Sequence, residues 1–112
     1  EELRVWKEAM DLAEVFSEIV MKFPKHETFN LSSQLMRAID SVALNISEGS
    51  IGQTDPENKR FLSYAIRSCC EVITCLHKAK RRNYITEKQF EELYNRVEIL
   101  FKMLNKYRNS LD

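Results

Sequence analysis

Apolar side chains recur along the chain at the spacing of one face of an α-helix. Val5, Ala9, Leu12, Phe16, Ile19 and Phe23 follow one another at intervals of four, three, four, three and four residues. This spacing predicts a first helix over residues 4–22, ended by Pro24, which pushes the residue before it out of the helical region and has no amide hydrogen to donate. A second stripe on the same helix, Trp6, Met10, Ala13 and Val20, widens the apolar face beyond what one core needs, so it is the expected subunit interface. Leu31, Leu35, Ile39, Val42 and Ile46 predict a second helix over 31–49, with Asn30 or Ser32 as N-cap and Gly49 as C-cap. Asp55, Pro56 and Glu57 read as N-cap, first helical residue and acidic first turn of a third helix over 56–82, striped by Leu62, Ala65, Cys69, Val72, Leu76 and Ala79. Thr86 and Gln89 have the spacing of a capping box. They open a fourth helix over 87–109, where Phe90, Leu93, Val97, Leu100, Leu104 and Tyr107 keep the rhythm of bundle packing.

Short connections make sequential helices antiparallel, so the expected fold is all-α: one domain over residues 1–112, an up-and-down four-helix bundle. With two Gly and two Pro in 112 residues, the turn formers that a sandwich or barrel needs are missing. No apolar run reaches the roughly eighteen residues of a membrane span, and Glu1, Glu2, Leu3 and Arg4 lack the order of a signal peptide. A cytoplasmic protein with no membrane partner is the expectation. Cys69, Cys70 and Cys75 are odd in number and contain no C-x-x-C, which suits a reducing compartment, and all three are expected to act as small buried apolar side chains.

The net charge is zero, but residues 1–57 carry five basic against eleven acidic side chains, a net of −6, and residues 58–112 carry twelve against six, a net of +6. In an antiparallel bundle these halves lie side by side, so the imbalance can be absorbed as internal complementarity or can leave a basic face for nucleic acid. The densest cluster is Lys78, Lys80, Arg81 and Arg82 at the end of the third helix, with Tyr84 just beyond. Cations there can neutralise phosphates while the aromatic stacks on an unpaired base, or they can simply oppose the helix dipole. Lys102, Lys106 and Arg108 pose the same choice on the fourth helix.

Catalytic chemistry finds little purchase. His26 and His77 have no carboxylate or thiol at metal-site spacing, no Glu precedes either by three residues as a di-iron bundle requires, and the serines lack a glycine-framed nucleophile turn. Gly49 and Gly52 make no phosphate loop. The expectation is a protein that binds partners, with no enzyme activity, no cofactor and no metal. Arg37, Asp40, Asn45 and Glu48 place polar groups on the second helix; with Arg60, Arg67 and Glu71 on the third they are expected to pair between helices or subunits.

Those same residues carry a resemblance. The stretch from Arg37 to Ser50, centred on Asn45-Ile46-Ser47-Glu48-Gly49, and the stretch from Arg60 to Ala65 resemble the signature of the four-helix proteins encoded in intervening sequences of bacterial 23S ribosomal RNA genes. Trp6 to Ala9, Phe23-Pro24 and Asn83-Tyr84-Ile85 are similar to that family as well, and Arg67 departs from it where glycine is common. The resemblance implies a four-helix protomer that assembles into a ring, a homopentamer, without catalytic activity and with a role at RNA or DNA. It also implies kinship with accessory proteins of diversity-generating retroelements, so a reverse transcriptase or another protein is a further expected partner. Carried over by position, Arg37, Asn45, Glu48, Arg60 and Glu71 are the motif residues. Two functions remain open: a nucleic-acid-associated oligomer, and a protein-interaction scaffold without nucleic-acid affinity.

Overall fold

The computed structural model describes residues 2–52 and 54–111. Among these residues there are four α-helices, α1 (Glu2–Val20), α2 (Leu31–Ser50), α3 (Asp55–Arg81) and α4 (Glu87–Asn109), and one 3-10 turn at Lys25–Glu27. Each helix packs on its two neighbours around the ring α1–α2–α3–α4. The α2–α3 seam is the most extensive and the α1–α4 seam the least. The body measures 44 × 25 × 18 Å, so α3, about 40 Å long at 1.5 Å per residue, runs nearly its full length.

The apolar stripes meet as their spacing demands. Leu12, Phe16, Leu35, Ile39, Leu62, Leu76, Leu100 and Leu104 are fully enclosed, and the small side chains Ala9, Ala65 and Ala79 let the helices approach. Polar ties set the antiparallel register. Ser41 and Ser68 join hydroxyls across α2 and α3, Asn58 donates to the Tyr107 hydroxyl at 3.3 Å and Arg108 to Ser63 Oγ at 3.1 Å across α3 and α4, and Arg96 pairs with Glu8 at 3.2 Å across α1 and α4.

The ends differ from expectation in ways that chemistry explains. α1 stops at Val20 rather than residue 22, because Phe23 must leave the helix before Pro24 and then folds beneath it to a buried position, closed by tight amide bonds from Lys22 to Ile19 and from Phe23 to Val20. Asn30 stands at the N-cap of α2, but its side chain makes no cap bond; the Glu27 carboxylate accepts the Leu31 amide instead. Gly49 is no C-cap: the helix continues to Ser50. At α3 the cap is Thr54, whose hydroxyl accepts the Glu57 amide at 3.2 Å, so Asp55 moves inside the first turn and Pro56 occupies its second position. The Thr86–Gln89 capping box forms with both bonds present.

Candidate nucleic-acid interface

The end of the bundle that carries the basic cluster is organised by a carboxylate that the sequence did not single out. Glu27, in the 3-10 turn, is 3% exposed. One of its oxygens accepts from the Asn30 side chain at 3.1 Å and from the Leu31 amide at 3.3 Å; the other accepts from the Tyr84 hydroxyl at 2.6 Å and from Arg82 at 2.9 Å, with His26 at 3.7 Å. The Tyr84 hydrogen bond, with help from the Leu31 amide and Arg82, holds the Glu27 carboxyl below its ordinary range despite burial, and the same bond raises the Tyr84 phenol. Tyr84 reaches Glu27 because α3 ends in a Schellman turn. Asn83 takes the left-handed conformation at φ 63°, its amide donates to Lys80 and the Tyr84 amide donates to Ala79. Asn tolerates that conformation better than most residues.

The expected phosphate contacts are therefore partly spoken for. Arg82 is bound to Glu27. Lys80 pairs with Glu87 at 2.9 Å and lies 4.5 Å from the Phe90 ring centre, and Lys78 donates to Gln34 at 3.3 Å. Tyr84, half-buried against Phe23 with ring centres 5.2 Å apart, is no open stacking platform. Arg81 is exposed and, among the described residues, unpaired. Lys22 and Lys25, from the turn that Glu27 ties to α3, are exposed and unpaired in the same sense. The free positive charge at this end thus comes from the α1–α2 connection and the last residue of α3 together rather than from the α3 cluster alone.

The motif residues lie elsewhere. Arg37 and Glu71 both line a polar groove of about 390 Å³ between α2 and α3, with Gln34, Ser41 and Thr74 along it, and neither makes an ion pair among the described residues. Asp40, Glu48, Arg60 and Arg67 are also exposed and make no ion pair among the described residues. Of the pairing expected between helices or subunits, the part between helices is not seen among the described residues, where these charged side chains are exposed to solvent. Arg60 lies 5.2 Å from the Phe61 ring centre, Phe61 meets Tyr64 edge-on at 5.7 Å, and Arg67 lies 5.7 Å from Tyr64. Asn45 turns inward and donates to the Ser41 carbonyl at 2.8 Å. Gly49 is buried where a β-carbon would press on the Asn58 carboxamide and stand 3.2 Å from Phe61 Cβ, so its missing side chain lets α3 begin close against α2.

A family model described as 23S rRNA-intervening sequence protein matches residues 1–106. The chain belongs to that family. Among solved structures it is similar to a crystal structure of a protein of unknown function from the S23 ribosomal protein family of Bacteroides thetaiotaomicron. That match has a TM-score of 0.89 and 22% identity, and covers 96% of this chain and 97% of the other. At that identity the likeness establishes the fold, an all-α four-helix bundle. No curated protein matches the chain.

On α1, Trp6 and Val20 are half-covered and Met10 is 41% exposed, but Ala13 is buried and belongs to the core; Leu3, 61% exposed, continues the outward stripe instead. Cys69 and Cys75 are buried as expected, and burial pushes the Cys69 thiol up to about 12 and also raises that of Cys75. Cys70 departs from expectation: it is exposed, at the rim of an apolar depression of about 230 Å³ lined by Ile73, Tyr94, Val97 and Phe101. One residue beyond Cys69 it stands about 100° around the helix, outside the buried stripe. His26 and His77 are exposed, and among the described residues no group of three His, Cys, Asp or Glu side chains is placed to hold a metal ion. Among the described residues, no helix is long and apolar enough to cross a membrane.

Proposed function

We propose that this intervening-sequence family member is a non-enzymatic, self-assembling bundle that associates with RNA through the end formed by the α1–α2 and α3–α4 turns. The observation that carries the reading is the gathering of Lys22, Lys25 and Arg81 at that end while its Glu27 is buried and satisfied by Arg82 and its Glu87 is held by Lys80. Burying or pairing the carboxylates leaves exposed cations dominant there although the chain is neutral overall. Phosphate is the ligand such a surface attracts, through counterion release. The family's description, which names an rRNA intervening sequence, favours RNA over DNA as the first partner to test.

Self-assembly, as a ring of five in the family's manner, is supported by the α2–α3 face. Arg37, Glu48, Arg60, Arg67 and Glu71 are charges of both signs left unpaired in the protomer, beside Leu44 at 64% and Tyr64 at 37% exposure. Mixed charge around apolar side chains suits a second copy better than a polyanion. The competing reading, a scaffold that holds a protein partner such as a reverse transcriptase and ignores nucleic acid, draws on the stripe Leu3, Trp6 and Met10 of α1. Electrophoretic mobility of a labelled structured RNA separates the two. The RNA reading expects a shift that fades with salt and weakens in a Lys22→Ala, Lys25→Ala, Arg81→Ala variant; the scaffold reading expects none.

A further inference from the structure

Phe29 is 95% exposed and Met21 81%, both in the turn segment between α1 and α2. Leaving an aromatic ring almost wholly in water gains nothing for the fold. Its position is nevertheless fixed by the hub: Asn30, the next residue, donates to Glu27, and Glu27 grips Arg82, the neighbour of Arg81. The segments that bear Phe29, Lys22, Lys25 and Arg81 are thereby joined at one end of the bundle by a single buried carboxylate.

We infer that this tip recognises unpaired nucleotides, with Phe29 stacking on a base while Lys22, Lys25 and Arg81 neutralise the flanking phosphates. The inference rests on the RNA-association reading above and narrows it to single-stranded or looped segments. An exposed ring can stack on any base whose face is open, and a duplex offers such a face only at its ends. The combination of apolar and cationic side chains also occurs on proteins that bind membrane surfaces. Those use the long apolar face of an amphipathic helix, and here two side chains project from a turn. Tyr84, the aromatic the sequence pointed to, is engaged by Glu27 and Phe23, so Phe29 takes the stacking role.

The test is fluorescence anisotropy of the intact protein with a labelled oligouridine, the corresponding DNA strand and an RNA duplex of equal length, each at two salt concentrations. The wild type is expected to prefer the single strands. Phe29→Ala is expected to weaken single-strand binding on the order of tenfold while leaving duplex binding and the salt slope unchanged, and Phe29→Trp is expected to retain it. Lys25→Ala with Arg81→Ala lowers the salt slope on every probe. Single-strand binding that Phe29→Ala leaves intact overturns the tip assignment while the RNA reading stands; absence of binding to all three probes overturns the RNA reading itself. Binding to phosphatidylserine vesicles without RNA binding, or loss of the oligomer in Phe29→Ala by light scattering, reassigns the tip to a membrane or to a second copy and also overturns the proposal.

Discussion

Glu27 shows how one side chain can join two turns that are far apart in sequence. Its partners Arg82 and Tyr84 are 55 and 57 residues away, and together they fasten the α1–α2 connection to the end of α3. The carboxyl is held below its ordinary value of 4.5, so the folded state favours the ionised form. The stabilisation it confers is therefore present above about 4.5 and is lost as pH falls from there through the lower folded-state value. Thermal unfolding followed between neutral and acid pH should show the wild type losing its advantage over Glu27→Gln below that point, whereas a constant difference in Tm across the range would contradict the assignment. The three thiols make a second residue-scale prediction. Because Cys69 and Cys75 are buried and Cys70 is exposed, a thiol reagent should modify Cys70 alone in the native protein and all three on unfolding. That is measurable by mass after peptide digestion, and Cys70→Ser should abolish native labelling. Neither feature was open to sequence reading in the same degree. The place of Cys70 follows from its register one residue off the stripe, but nothing in the sequence around Glu27 announces partners on the far side of the chain.

At the scale of the helix, what could be read was what is local. The four segments, the capping box at Thr86 and the break before Pro24 depend on residues within a turn or two of each other, and each was legible from spacing and chemistry alone. What failed was decided by contacts between helices. Gly49 has the appearance of a helix stop, yet its role is close approach: a β-carbon would meet Asn58 and Phe61 at the start of α3. Gly→Ala inside a helix normally gains about 1 kcal/mol from propensity. Here overpacking of about 1–3 kcal/mol opposes it, and Asn58 is not free to yield because it donates to Tyr107. Gly49→Ala should therefore destabilise by about 1 kcal/mol in urea unfolding, and an increase in stability would show that α3 relaxes away at no cost. The polar motif on α2 and α3 was likewise legible as a set but not as an arrangement, since spacing puts Arg37 and Glu48 on one face without saying whether a partner helix lies across from it.

For the whole molecule, the opposite charges of the two halves are only partly spent inside the bundle. Arg96 with Glu8 and Arg82 with Glu27 join the basic second half to the acidic first, while Arg37, Glu48, Arg60 and Glu71 face outward unpaired. If the α2–α3 face is where copies meet, Arg37→Glu should lower the molar mass measured by light scattering, and Lys25→Ala should leave it unchanged. An unaltered mass in Arg37→Glu would move the contact to the α1 stripe, where Met10→Glu tests it. The central claim, that an assembled member of the 23S rRNA-intervening sequence family uses its cationic end to hold RNA, is tested most directly by size exclusion coupled to light scattering with a short structured RNA at low and moderate salt. The oligomer should co-elute with RNA at low salt and release it as salt rises. An oligomer whose mass and elution ignore RNA at both salt concentrations would contradict it.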